Sequence, residues 1–243
     1  MPVPFRMYAD LAAWWPLLSP PSAYVEEVAD LLPSILAAPD RPPATLLELG
    51  SGGGSLAFHL KAHMHLTLCD RAPEMLAVSR ALNPDCEHVE GDMRTLDLGR
   101  TFDLVLIHDA IMYATTPADA QAALATAARH CRRGGAIVLI PDFVAETFEP
   151  DENTGECDAP DGRALRYVER KWDPDESDFT YETVYDFCLR QLDGVVDAVH
   201  EVHPNGLFPR AAWLAWLSEA GFDAASRVDP WGRDVFVGRR NRS

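Results

Sequence analysis

Short apolar runs alternate with amphipathic segments along the first part of the chain. Five of these runs have the length and composition of buried strands, over 46–49, 65–70, 87–90, 102–108 and 136–140. Helices are predicted between them over 56–62, 72–82 and 117–129. Strands that are apolar throughout and are joined by helices predict a parallel sheet covered on both faces.

After Asp142 the pattern changes to alternating polar and apolar positions. Residues 148–162 form a predicted acidic, turn-rich loop, and antiparallel strands are predicted over 163–171, 179–190 and 195–202. A helix over 209–220 and strands over 224–228 and 233–239 then follow. The pattern therefore predicts an α/β fold with an antiparallel β insert after the fifth strand.

The segment before the first strand is rich in aromatic residues. Tyr8, Trp14 and Trp15 indicate either packing against the main domain or a lid over a pocket. Ser22 is the predicted N-cap of the next helix, which Pro33 is expected to kink or shorten. The expected apolar face of that helix comprises Val25, Val28, Leu32, Ile35 and Leu36.

These patterns divide the chain into four segments. Residues 1–43 form a predicted N-terminal helical lid and cap, and residues 44–142 form the core that binds the ligand. Residues 143–208 form the insert, which is either a substrate cap or a dimer interface. Residues 209–243 complete the core sheet. The length of 243 residues suits one domain with such an elaboration.

Composition and charge narrow the range of partners. A formal net charge of −17 argues against nucleic acid, because phosphate binding relies on clustered lysine and arginine. An acidic surface either keeps the protein in solution or concentrates cationic small molecules. The apolar stretch 11–18 is interrupted by Pro16, so neither a signal peptide nor a membrane span is expected there.

Cysteine and histidine spacing predicts no metal site. The five cysteines include no CxxC pair and suggest neither a zinc site nor a disulfide framework, so a reducing cytoplasm is expected. His59 and His63 have the spacing of helical ligands, but Leu60 stands where a zinc protease has glutamate. The acidic stretch from Asp151 lacks the spacing of a calcium loop.

The stretch 46–55, LLELGSGGGS, is a strand that turns into a helix over bare backbone. Its pattern is acidic-x-Gly-x-Gly-x-Gly, beginning at Glu48. A dinucleotide site needs a glycine where Ser55 stands. The loop is therefore expected to bind a nucleotide-like ligand other than a dinucleotide.

These residues resemble the first motif of class I S-adenosylmethionine-dependent methyltransferases. Asp70 ends the second strand twenty residues after Gly50, where a carboxylate can accept both ribose hydroxyls. Asp92 and Met93 match the adenine clamp of that family. The resemblance implies S-adenosylmethionine as cofactor and a Rossmann-like seven-stranded sheet, mostly parallel with the last strand antiparallel.

The same resemblance implies a set of cofactor contacts. By analogy with the family, Tyr8 is expected to close over the methionine carboxylate. Arg71 lies along the adenine or in solvent, and Met75 is either a core residue or a cofactor contact. The full expected set is Tyr8, Glu48, Gly50, Ser51, Gly52, Asp70, Arg71, Met75, Asp92, Met93 and His108.

Within the family, the segments GDMRTLDLGRTFD, AETF and VFVG resemble aminosugar N,N-dimethyltransferases. This implies a small-molecule acceptor, with methylation of nitrogen favoured over oxygen. The candidate catalytic residues are His108, Asp109 and Tyr113. An oxygen acceptor would need a base such as His108 or Asp109, whereas a neutral amine needs mainly alignment. His108 acts through its backbone carbonyl or its ring, and Tyr113 either lines the pocket or packs.

Two other functions remain open at this stage. A catalytically silent cofactor-binding or scaffold protein would use the insert to form a homodimer. A nicotinamide-dependent oxidoreductase is disfavoured by Ser55 and by the GDM segment. Several residues of the insert and of the helix after it belong either to the core or to a pocket, and the sequence does not distinguish the two. They are Trp172, Tyr181, Tyr185, His200, His203 and Arg210.

Overall fold

Residues 5–242, which the computed structural model describes, form two β-sheets with helices around the larger one. The strands are β1 (Thr45–Leu49), β2 (His65–Asp70), β3 (Glu87–Glu90), β4 (Phe102–Ile107), β5 (Cys131–Leu139), β6 (Asp151–Asp158), β7 (Ala164–Trp172), β8 (Thr180–Arg190), β9 (Val196–Gly206), β10 (Phe222–Val228) and β11 (Asp234–Arg240). The helices are α1 (Trp15–Leu18), α2 (Val25–Ala37), α3 (Ala57–Leu60), α4 (Pro73–Leu82), α5 (Pro117–His130) and α6 (Arg210–Glu219).

The larger sheet has the strand order β10-β11-β5-β4-β1-β2-β3. Strands β1 to β5 run parallel to one another, and β11 is antiparallel to both β5 and β10. The predicted fold class is therefore confirmed. The strand order reverses between β1 and β4, and in open α/β sheets ligands bind at the carboxyl ends of the strands beside such a reversal.

Two hydrophobic clusters cover the two faces of this sheet. One face packs against α2 and α3 through residues such as Leu31, Ile35 and Leu60. The other packs against α5 and α6 through residues such as Leu124 and Trp213. Between residues 5 and 242, no helix combines the length and the apolar character needed to cross a bilayer.

The insert is a four-stranded antiparallel sheet in the order β6-β7-β8-β9. The prediction of a loop over 148–162 is wrong, because Asp151–Asp158 forms β6 and pairs with β7. The physical reason lies in cross-strand ion pairs: Glu152 pairs with Arg170 at 2.6 Å, and Glu156 pairs with Arg166 at 3.0 Å. Opposite charges facing each other stabilise a strand that has few apolar residues of its own.

The N-terminal segment packs on the insert. A third hydrophobic cluster joins Met7, Leu11 and Trp14 to inward-facing residues of the insert such as Leu165 and Phe187. The aromatic segment thus covers the insert sheet, and it also reaches the core domain, where Tyr8 is bonded to Tyr113. Short turns of 3₁₀ helix over Arg6–Tyr8 and Ala12–Trp14 fold it back on itself.

Helix α2 differs from its prediction in two respects. Ser22 lies in the preceding turn and caps nothing, since Tyr24 occupies the N-cap without a side-chain hydrogen bond. Pro33 lies inside the helix and does not shorten it, since the helix ends at Ala37. Its buried face includes Glu27, whereas Val25 is 53% exposed. The face is rotated from the expected one because Glu27 has charged partners in the core, described next.

Candidate active site

Backbone rather than side chains builds the turn between β1 and α3. Gly50 and Gly52 have φ angles of 77° and 52°, which residues with a Cβ rarely adopt. A Cβ at Gly50 would lie 2.2 Å from the Cβ of Ala110, and one at Gly53 would lie 2.2 Å from the Trp15 ring. The loop therefore touches both the end of β4 and the N-terminal segment.

The carboxylate of Asp70, at the end of β2, supports this loop. Its Oδ2 accepts a hydrogen bond from the backbone N–H of Gly52 at 2.8 Å, and its Oδ1 accepts one from Ala72 at 2.9 Å. Burial raises the pKa of Asp70, although these backbone donors oppose the shift. Because a carboxylate oxygen has more than one lone pair, each oxygen can still accept a ribose hydroxyl.

Two buried polar atoms beside the loop have no hydrogen-bond partner among the described residues. They are Glu48 Oε2 and Ser51 Oγ. Burial raises the pKa of Glu48 to about 8. Unpaired buried polar groups are costly, and a ligand with hydroxyl or ammonium donors would pair them. S-adenosylmethionine carries both kinds of donor, so the residues present fit that cofactor.

The predicted adenine contacts lie around β2, β3 and α4. The Arg94 guanidinium binds both oxygens of Asp92, with Nη2 2.7 Å from Oδ2, and holds the pKa of Asp92 below its usual range. Met93 is half-buried against the main core. Met75 is fully buried next to the glycine loop, as expected of a core residue. Arg71 is exposed.

The carboxyl end of β4 carries a buried charged cluster. His108 Nε2 lies 2.5 Å from Glu27 Oε1, and His108 Nδ1 lies 2.9 Å from Asp109 Oδ1. Arg233 Nη2 donates to the same Glu27 oxygen at 2.6 Å. Burial disfavours the imidazolium, but Asp109 and Glu27 outweigh burial and raise the pKa of His108 to about 10. The ring is therefore protonated at neutral pH and cannot accept another proton.

Asp109 faces a second carboxyl, Asp142, which the sequence analysis did not predict. Burial and the charge of Asp109 raise the pKa of Asp142, whereas His108 and Arg233 outweigh burial and lower the pKa of Asp109. A hydrogen bond links the two carboxyl groups, and Asp142 is the one that retains a proton more readily. The Asp109 side chain is 43% exposed, so part of it is accessible to a ligand.

A chain of hydrogen bonds joins the N-terminal segment, the core and the insert. The hydroxyls of Tyr8 and Tyr113 lie 2.7 Å apart, and the Tyr113 hydroxyl lies 2.8 Å from His203 Nδ1. Burial raises the pKa of both tyrosines, so both hydroxyls are neutral. Trp15 packs edge-on against Tyr8. Tyr113 thus faces the interior, where the three segments meet.

A cavity of about 170 Å³ lies between the N-terminal segment and the inner face of the insert. Its aromatic lining comprises Tyr8, Trp15, Tyr167, Tyr185 and Phe187. Glu169 and His203 are its polar groups. Glu169 accepts a hydrogen bond from the Tyr185 hydroxyl at 2.7 Å and pairs with Lys171 at 3.0 Å.

The structure shows which of the residues that the sequence left unassigned line this cavity. Tyr185 and His203 line the cavity. The others lie away from it: the exposed Trp172, the core residue Tyr181, and the ion-paired His200 and Arg210. The sequence analysis assigned no role in the site to Glu27, Asp142, Tyr167, Glu169 and Arg233. Of these, only Asp142 had a signal, because the carboxyl ends of the parallel strands β4 and β5 meet at one edge.

Comparison with known proteins identifies the family. A family model described as a methyltransferase domain matches residues 46–135. The dTDP-3-amino-3,4,6-trideoxy-alpha-D-glucopyranose N,N-dimethyltransferase of Streptomyces venezuelae is 30% identical over 226 residues, covering 89% of this chain and 90% of the relative. The dTDP-3-amino-3,6-dideoxy-alpha-D-glucopyranose N,N-dimethyltransferase of Streptomyces fradiae is 32% identical over 218 residues, covering 88% and 84%.

A solved structure supports the same assignment. An amino pentose methyltransferase from Micromonospora echinaspora, bound to S-adenosylmethionine and involved in calicheamicin biosynthesis, is similar with a TM-score of 0.79 and 28% identity, over 99% of both chains. The predicted resemblance, the cofactor and the methyltransferase activity are thereby confirmed. The chain belongs to the class I S-adenosylmethionine-dependent methyltransferases, in the group that includes the aminosugar N,N-dimethyltransferases.

Proposed function

We propose that this enzyme methylates the amine nitrogen of an aminosugar or a similar small-molecule acceptor. The relatives are named for amino groups on sugars. The observation that carries the proposal is the cavity between the N-terminal segment and the insert, which adjoins Tyr8 and Trp15. Aromatic faces together with the Glu169 carboxylate suit a ring that bears a protonatable amine.

We infer that one side of the site holds the cofactor. S-adenosylmethionine supplies a methyl group bound to a positively charged sulfur. Asp70 accepts the ribose hydroxyls, Glu48 and Ser51 face polar groups of the ligand, and Tyr8 closes over its amino-acid end. The proposed cofactor contacts are Tyr8, Glu48, Gly50, Ser51, Gly52, Asp70, Arg71, Met75, Asp92, Met93 and His108.

We propose that Asp109 and Tyr113 act on the acceptor. The Asp109 carboxylate attracts the protonated amine, which releases its proton to water before the site closes, and the neutral nitrogen then attacks the methyl carbon. Tyr113 offers a hydroxyl oxygen that orients the amine through its N–H group. His108 positions Asp109 and keeps it ionised, while its backbone faces the cofactor. Alignment of the two reactants in a site closed to water accounts for most of the acceleration.

The four segments then have separate tasks. Residues 1–43 act as lid and cap, and residues 44–142 bind the cofactor. Residues 143–208 form the acceptor side, and residues 209–243 complete the core sheet and contribute Arg233. We also propose a homodimer in a reducing cytoplasm: all five cysteines are free, and Val196 and Val202 are exposed on β9. A mass by light scattering that equals one chain would contradict the dimer.

Binding and turnover test the proposed site together. Purified enzyme is titrated calorimetrically with S-adenosylmethionine and then incubated with an amine-bearing sugar and its hydroxyl analogue. We expect mass spectrometry to detect added methyl groups on the amine only. Asp70→Ala should weaken cofactor binding more than about a hundredfold, because it removes the ribose acceptor and two loop contacts.

Asp85→Ala is the matched control, because Asp85 is exposed and, among residues 5–242, forms its one ion pair with Lys61. It should bind the cofactor like the parent enzyme. Equal binding by Asp70→Ala would refute the proposed ribose contact. Methyl groups found on oxygen alone would refute the amine acceptor.

A further inference from the structure

One carboxylate of the insert holds the start of the N-terminal segment. Glu201 lies on β9 and is 8% exposed. Its Oε1 accepts a hydrogen bond from the backbone N–H of Arg6 at 2.5 Å, and its Oε2 accepts one from Met7 at 3.3 Å. These are the first backbone donors of the 3₁₀ turn that carries Tyr8. The carboxylate thus pairs donors that the turn itself leaves unsatisfied and complements their partial positive charge.

A histidine on the same face of β9 holds the other end of this contact. His203 is two residues beyond Glu201, so both side chains point to the same side of the strand. His203 Nδ1 is bound to the Tyr113 hydroxyl, and its Nε2 lies 3.6 Å from Glu201. The Phe5 ring stacks on the imidazole at 3.8 Å between centroids, with the planes 17° apart. His203 is 1% exposed.

We propose that Glu201 and His203 are positioning residues through which the insert sets the place of Tyr8 over the cofactor. Glu201 fixes the backbone of the turn, and His203 fixes the Tyr113 hydroxyl to which Tyr8 is bonded. The inference rests on the proposed contact of Tyr8 with the cofactor. It gives the insert a task on the cofactor side as well as on the acceptor side.

The apolar contacts of the N-terminal segment cannot supply this positioning by themselves. Met7, Leu11 and Trp14 bury their side chains against the insert and account for docking, since hydrophobic burial is non-directional. The direction of a hydroxyl depends on hydrogen bonds with narrow angular preferences. Removal of the polar contacts should therefore leave the fold intact and shift the position of Tyr8.

The first experiment compares Glu201→Gln with Glu176→Gln, which removes the same charge from an exposed turn. Trypsin cleavage after Arg6 is followed without ligand, because it reports release of the turn directly. We expect Glu201→Gln to speed cleavage and weaken S-adenosylmethionine binding by about tenfold each, the effect of losing one charge-assisted hydrogen bond. Both values within twofold of the control would overturn the inference.

The two readouts separate this inference from the proposed function. Faster cleavage with unchanged cofactor affinity would show that Glu201 holds the turn but that Tyr8 does not contact the cofactor. That result overturns the positioning role. Tyr8→Phe, measured alongside, should weaken the cofactor by about the same factor as Glu201→Gln, because both act through the Tyr8 hydroxyl.

The second experiment keeps the test decisive even if Glu201→Gln fails to fold. His203→Asn retains a polar atom near the position of Nδ1, whereas His203→Leu of similar bulk does not. We expect His203→Leu to weaken S-adenosylmethionine binding by about tenfold, and His203→Asn to restore most of the loss. Equal S-adenosylmethionine affinity in the two variants would contradict the positioning role.

Discussion

The cofactor side of this active site consists largely of backbone from one region of the chain, whereas the acceptor side consists of side chains from several regions. On the proposed cofactor side, most of the groups come from the stretch between β1 and Met93, with Tyr8 and His108 added from elsewhere, and the glycine loop presents bare backbone. On the acceptor side, side chains arrive from distant segments, including Glu27, His108, Asp142 and Arg233. Local geometry determines the first side, and tertiary packing determines the second.

This difference explains how one fold can keep its cofactor while acceptors change. Bare backbone at Gly50 and Gly52 tolerates almost no substitution, because a Cβ would need a rare φ angle and, at Gly50, space that is already filled. Side chains on β7, β8 and β9 can change without moving the loop. Function therefore varies in the groups attached to the scaffold rather than in the scaffold itself.

The largest expected effect tests the backbone-built side. Gly50→Ala should abolish measurable cofactor binding, because the new Cβ lies 2.2 Å from Ala110 and the φ angle of 77° strains any L side chain. Gly99→Ala is the matched control, with a φ angle of 62° and no atom near the added Cβ. It should cost only about 1 kcal/mol of unfolding free energy. Calorimetric titration with S-adenosylmethionine measures the affinity of both variants. Binding by Gly50→Ala within tenfold of the parent would show that the loop backbone does not determine cofactor affinity.

The same contrast explains which parts of the molecule could be predicted from the sequence. Asp70 was predictable because a strand, its terminal acid and the glycine loop are near one another in the chain. Glu27 was not, because an acid in the first turn of a helix is normally a solvated group that complements the helix dipole. Its burial follows from His108 and Arg233, which are remote in sequence.

Strand β6 was not predicted, for a related reason. An acidic segment without apolar alternation has no signal of its own, and its pairing depends on arginines of β7. The sequence therefore predicted the seven-stranded sheet and the cofactor loop but not the first strand of the insert. The residues that line the acceptor pocket could not be predicted in this way. Tyr185 and His203 border a cavity because of how the N-terminal segment packs.

The next largest effect tests the side built from charged side chains. Arg233→Met should lower the unfolding free energy by about 3 kcal/mol, because it leaves Glu27 and Asp229 buried with one cation fewer. The double variant Glu27→Gln with Arg233→Met should recover part of that loss, since it also removes the buried carboxylate charge that Arg233→Met leaves without its cation. Urea denaturation at pH 7 measures both. Additive losses in the double variant would show that the two side chains are not coupled.

A smaller effect depends on pH and tests the protonated state of His108. Its pKa in the folded state is about 10, above the ordinary value of about 6.5 in the unfolded chain. The folded state therefore binds this proton more tightly, and the stabilisation is complete below pH 6.5 and lost as pH rises through about 10. The stability difference between the parent and His108→Gln should shrink steadily as pH rises over that window, because only the parent loses a tightly held proton. A constant difference would mean that the ring is neutral throughout.

The smallest expected effect sharpens the comparison at the edge of the cofactor side. Arg71 follows Asp70 but is exposed, so its guanidinium competes with water for any stacking on the adenine. Arg71→Ala should weaken S-adenosylmethionine by about twofold, the range of an exposed cation–π contact. Arg80→Ala, an exposed change on α4 away from the loop, provides the baseline. A loss above about tenfold would mean that a flexible side chain, and not only the loop and Asp70, determines cofactor affinity. The cofactor side would then resemble the acceptor side more closely than its backbone geometry indicates.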